Sequence, residues 1–193
     1  MEFLYNIDKA VFLFFNARLH HPVLDVLMPL FTKLSTWTIP GLLLAALFVM
    51  REKKKALIVL GLLILTVAIS DPVSSQILKK SFARLRPCHP EFFVEGGRFL
   101  IGMLKSLSFP SSHSMNMFSA ATLLFCFYPK RWPYFFSFAA MIAYTRVYCG
   151  VHYPSDILGG AIFGSLLGWG VYAGYTAIVQ KIKNNPTSRP PTK

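Results

Sequence analysis

Three short clusters carry groups able to act on an oxyanion: Lys79–Pro87 (KKSFARLRP), Pro110–His113 (PSSH) and Arg146–Asp156 (RVYCGVHYPSD). The chemistry this allows is nucleophilic attack on a phosphorus or similar centre without a metal. It requires fixed positive charge around the nonbridging oxygens, a nucleophile, and an acid for the leaving group. Lys79, Arg86 and Arg146 supply the charge, and His113 and His152 supply two imidazoles. Asp156 follows His152 by four residues. It can accept a hydrogen bond from one ring nitrogen, fix the tautomer and leave the other nitrogen free to attack.

Each cluster has a plainer reading when taken alone. Lys79 and Arg86 lie seven residues apart, which predicts one face of a helix two turns long, ended by Pro87. Cations in that place often snorkel at a membrane edge. The spacing singles out Lys79 and Arg86 over Lys80 and Arg84. Ser111 and Ser112 suit an N-cap, where exposed N–H groups bind an anion, and His113 could be no more than an interfacial residue there. Asp156 could cap the helix that Pro154 begins. The three plain readings must all hold at once to displace the chemical one.

The elements that would position these groups are apolar. The chain has 193 residues, 54% of them hydrophobic and 15% charged, with 18 Phe. Residues 56–70, 114–128, 132–145 and 157–180 carry no charge, and the last run is long enough to cross a bilayer unaided. The fold class expected is therefore an all-α, polytopic membrane bundle. Residues 21–50 fit one broken helix or two short elements, and we expect about six spans in total. Residues 1–20 read as an amphipathic N-terminal helix, not a cleaved signal, because Asp8 and Lys9 interrupt the apolar run. Gly160, Gly164 and Gly168 recur every four residues and predict a packing face. Residues 1–182 would form one membrane-embedded domain, and the Pro-rich residues 183–193 a disordered polar tail.

Basic residues also set the orientation. The runs at 51–55, 130–131 and 181–183 fall on one side by crossing count, which the positive-inside tendency assigns to the cytoplasm. All three clusters then meet on the outer face. The bias is modest, since Lys79, Lys80, Arg84, Arg86, Arg98, Lys105 and Arg146 lie on that side. The net charge of +12 does not point to nucleic acid, because the cations sit in short groups between apolar runs. A bilayer with anionic headgroups is the simpler partner. Cys126 lies inside an apolar run, while Cys88 and Cys149 sit beside two clusters and could pair on an oxidising face.

The order Lys79–x6–Arg86–Pro87, Pro110–Ser111–x–His113 and Arg146–x5–His152–x3–Asp156 resembles the type 2 phosphatidic acid phosphatase superfamily of membrane lipid phosphatases. The chain departs from the usual pattern at Ser112, where Gly is common, and at Thr145, where Ser is common. Neither change removes a group the chemistry requires. The resemblance implies that His152 attacks phosphorus to give a phosphohistidine, oriented by Asp156. It implies that His113 protonates the leaving oxygen, and that Lys79, Arg86, Arg146, Ser111 and Ser112 hold the phosphoryl oxygens. No metal or other cofactor is implied, and the outer-face acids Asp71, Glu91 and Glu95 are too scattered for a two-metal centre.

The expected activity is hydrolysis of a phosphate or diphosphate headgroup at the outer (periplasmic) face of a bacterial inner membrane. Lipid A 1-phosphate, undecaprenyl diphosphate, phosphatidylglycerophosphate and phosphatidic acid are the candidate substrates, and oligomeric state is left open. The rival class is a transporter or channel for an anion or lipid. That reading uses Lys79, Arg86 and Arg146 but gives no reason for His113, His152 and Asp156.

Overall fold

A computed structural model describes residues 2–185, and among them all regular structure is helical. In chain order the helices are α1 Glu2–Leu13, α2 Pro22–Phe31, α3 Leu34–Glu52, α4 Lys54–Pro72, α5 Lys79–Phe82, α6 Ser112–Phe127, α7 Trp132–Tyr148 and α8 Pro154–Asn184. Wider π turns over Phe14–Arg18 and Val73–Leu78 extend α1 and join α4 to α5. Pro72 lacks the N–H that the regular ladder needs, which accounts for the change of register there.

Three helices are long and apolar enough to cross a bilayer: Leu34–Glu52, the continuous Lys54–Phe82, and Pro154–Asn184. Helices α6 and α7 have 16 and 17 residues, and at 1.5 Å per residue they span about 25 Å of a hydrocarbon core about 30 Å thick. Residues 21–50 divide into two elements, the ten-residue α2 and the start of the 19-residue α3. The expected N-terminal helix is present, and Phe3, Leu4 and Ile7 leave its outer face strongly apolar.

The core of the bundle is the pairing of α6 with α8. Gly160, Gly164 and Gly168 are buried on one stripe of α8. A Cβ on Gly164 would sit 2.3 Å from the Met115 carbonyl oxygen, and one on Gly168 would sit 2.2 Å from that of Ser119. The opposite face of α8 presents Leu158, Ile162, Leu166 and Trp169, each more than 60% exposed. A sidedness of that kind is unfavourable in water and suits a lipid boundary. Helix α3 is more extreme, with no buried residue at all.

The N-terminal helix is locked on from inside. Asn16 is fully buried. Its Nδ2 donates to the carbonyls of Arg98 and Tyr148, both at 2.8 Å, and its Oδ1 accepts from the Arg98 N–H at 2.6 Å. Arg98 also forms a bidentate pair with Asp25. The long loop between α5 and α6 is thereby tied to α1, α2 and the end of α7. Cys88 and Cys149 are buried free thiols, so the pairing considered for them is not formed. Of the expected disordered tail, the helix α8 takes in Lys183 and Asn184, and residues 186–193 lie outside the described residues.

Candidate active site

Helix α5 stops at Phe82 because Ala83 adopts a left-handed conformation with φ 47°. The chain then runs without regular structure through Arg84, Leu85 and Arg86 to Pro87. The helical face expected to carry both Lys79 and Arg86 is therefore absent. A non-glycine residue in the left-handed region costs about 1 kcal/mol, and beyond this turn Arg84 reaches Asp156 and Arg86 reaches His152. Lys79 and Arg86 still line the same cavity, reached from a helix end and from a loop.

That cavity has a volume of about 540 Å³ and is walled by α3, α4, α6 and α7. Lys79, Arg86, Arg146, Ser112, His113 and His152 line one end. Trp37, Val67, Met117, Ala120, Phe138 and Ile142 line the rest. A phosphorylated headgroup with an apolar tail matches such a division.

Arg86 is held from several directions. Its Nε donates to the Ser106 carbonyl and hydroxyl, both at 3.0 Å, and its Nη1 donates to the Val151 carbonyl at 2.8 Å. The same Nη1 lies 2.9 Å from His152 Nε2. A guanidinium can only donate, so Nε2 must be the accepting, unprotonated nitrogen and Nδ1 must carry the proton. Nδ1 in turn lies 3.2 Å from Asp156 Oδ2. The tautomer that leaves Nε2 with a lone pair facing the cations is thus fixed by both of its neighbours.

Asp156 is fully buried, and all of its partners donate. Oδ2 accepts from the Ser108 hydroxyl, from the Tyr153 N–H at 2.8 Å and from His152. Oδ1 accepts from Arg84 Nη1 at 2.8 Å. Arg84 then reaches Asp8 on α1 at 2.6 Å, and Asp8 also takes the Ser155 N–H at 3.0 Å. Burial, followed by the charges of Arg86, Arg146 and Lys79, holds the His152 imidazole far below the usual histidine pKa. It is therefore neutral at physiological pH.

The remaining sequence-predicted residues fall as follows. Ser111 caps α6, its hydroxyl accepting from the Ser114 N–H at 3.4 Å, and does not line the cavity. Ser112 lines the cavity and shares a 2.8 Å hydrogen bond with Ser74 in the π turn. His113, in the first turn of α6, is exposed to the open cavity. Arg146 is 7% exposed; its Nη1 donates to the Thr32 hydroxyl and its Nε has no partner.

Sequence reasoning missed four contributors. Arg84 was set aside although it contacts the carboxylate behind His152. Ser108 stands two residues before the second cluster. Asp8 and Thr32 belong to the N-terminal third, whose docking no motif signals.

The chain is similar to several known proteins. The model of the PAP2 superfamily matches residues 55–180. A lipid A 4'-phosphatase of Bacteroides thetaiotaomicron is 34% identical over 179 residues, covering 89% of this chain and 78% of that protein. Phosphatidylglycerophosphatase B of Bacillus subtilis is 32% identical over 118 residues, covering 55% of this chain and 54% of that protein. The crystal structure of Aquifex aeolicus LpxE superposes with a TM-score of 0.67 at 28% identity, covering 85% of this chain and 93% of that one. With the model match spanning well over half of its length, the chain belongs to the PAP2 superfamily and is a membrane phosphatase.

Proposed function

We propose that the protein hydrolyses a phosphorylated membrane lipid through a phosphohistidine on His152, without a metal, at the outer face of a bacterial inner membrane. The observation that carries this reading is the fixed tautomer: His152 Nε2 accepts from Arg86 at the cavity floor while Nδ1 is backed by Asp156.

In the first step Nε2 attacks phosphorus and the bond from phosphorus to the leaving oxygen breaks. His113 gives its proton to that oxygen. Lys79, Arg86 and Arg146 hold the nonbridging oxygens, with the start of α6 at Ser112 beside them, where charge builds in the transition state. In the second step water attacks phosphorus, His113 takes its proton, and the N–P bond breaks to release inorganic phosphate and neutral His152. Asp156 accepts the Nδ1–H throughout and stabilises the charge the imidazole gains.

The test is phosphate release by detergent-purified protein, with and without a chelator, from lipid A, phosphatidylglycerophosphate, undecaprenyl diphosphate and phosphatidic acid. Release should survive chelation and fall by at least about a thousandfold in His152→Ala. Trapping of labelled phosphate on wild-type protein, acid-labile and base-stable, should disappear in the same variant. Loss of activity on chelation would refute the metal-free mechanism. No release from any of these lipids would leave anion or lipid transport as the better account of the cations.

A further inference from the structure

Among the side chains lining the 540 Å³ cavity, Asp71 is the one carboxylate. It stands near the end of α4 and is exposed. None of the ion pairs within 4.0 Å among the described residues includes it. A carboxylate facing three cations weakens the site for anions, unless it meets something an anion does not offer. Beside it, Asn116 Nδ2 donates to Asp71 Oδ1 at 3.4 Å. The other end of that amide, Asn116 Oδ1, is buried without a partner. Asn116 follows His113 by three residues on α6, so the two share a wall. His113 faces the leaving oxygen in the reading above, on which this step rests. Asn116 and Asp71 then stand where the rest of the leaving group must lie.

We infer that Asp71 and Asn116 form an acceptor subsite for the leaving group. It selects lipids whose leaving group is an alcohol, not a phosphate, with free hydroxyl or amide N–H donors close to the ester oxygen. A phosphorylated amino sugar fits this description, as does a headgroup glycerol. Diacylglycerol, the leaving group of phosphatidic acid, has no such donor. The leaving group of undecaprenyl diphosphate is itself a phosphate, and Asp71 repels it. Asn116 Oδ1 is the buried acceptor of the pair, and a substrate that leaves such an acceptor unpaired is discriminated against.

The experiment compares kcat/KM on lipid A, phosphatidylglycerophosphate, phosphatidic acid and undecaprenyl diphosphate for wild type, Asp71→Asn and Asn116→Leu. Wild type should prefer the first two, and their order separates sugar from glycerol as the source of the donors. Asp71→Asn is isosteric and should raise undecaprenyl diphosphate turnover about tenfold relative to lipid A. Asn116→Leu should lower turnover of the preferred lipid about tenfold and leave phosphatidic acid within about twofold. Unchanged substrate ratios in both variants would overturn the subsite while leaving the phosphatase reading intact. So would a wild-type preference for undecaprenyl diphosphate. Absence of release from every lipid by wild type would overturn both.

Discussion

At the scale of single residues, the His152 imidazole depends on a chain of hydrogen bonds that begins outside the clusters. Asp8 holds Arg84, Arg84 holds Asp156 Oδ1, and Asp156 Oδ2 orients His152. Asp8→Asn keeps the shape but removes the charge that positions Arg84. Losing a charge-assisted hydrogen bond of about 1.5–3 kcal/mol from a positioning pair should lower kcat by about ten- to a hundredfold and leave KM nearly unmoved. A purely structural loss would show as a smaller active fraction at unchanged kcat per site in titrated protein.

The pH dependence can be predicted at the same scale. His152 is neutral well below its ordinary value of 6.5 in the fold, whereas the unfolded chain takes up that proton near 6.5. The unfolded state thus binds more protons as pH falls below about 6.5, and stability drops with acidification. Thermal unfolding of His152→Asn should show a shallower loss of Tm between pH 6.5 and 5 than wild type. In kcat/KM, the acid limb belonging to His152 should lie below pH 6.5.

At the scale of elements, the glycine stripe was plain in the sequence and its consequence is steric. Gly164→Ala would drive a methyl into the Met115 carbonyl oxygen and push α8 from α6. A cost of about 1–3 kcal/mol is expected, read as a lower Tm in detergent, with activity lost because His113 and Asp156 ride on the separated helices. Gly174→Ala meets nothing within 4 Å and should be neutral or stabilising by up to about 1 kcal/mol. The other elements were legible unevenly. Periodicity and uncharged runs revealed α4, α6, α7 and α8, because burial in lipid leaves a compositional trace. The stop at Ala83 left none, since a left-handed alanine is a product of the surrounding packing and not of its own preference. Lys79 and Arg86 therefore share a cavity without sharing the helix face that their spacing predicts, and the same assumed helix hides the contact of Arg84 with Asp156.

At the scale of the whole molecule, the exposed apolar faces of α3 and α8 place the protein in a membrane, and the loop holding Lys105 lies at the catalytic end. The proposed outward orientation is checked with single cysteines at exposed Lys105 and Lys130 and an impermeant maleimide on intact cells, in a chain with Cys126 replaced. Labelling at position 105 alone is expected; labelling at 130 alone would reverse the orientation. Most of the residues that line the polar end of the cavity stand in the three clusters, whereas the N-terminal contribution has no such signal. Asp8, Asn16 and Thr32 act through contacts with residues at least 76 positions away, and no local pattern encodes such pairings. Those distances also say something about synthesis. Asp8 emerges from the ribosome 147 residues before its partner Ser155, which stands at the mouth of the last span. On the proposed mechanism a nascent chain therefore has no oriented nucleophile until its final helix is inserted, and hydrolysis of lipid becomes a readout of completed membrane assembly.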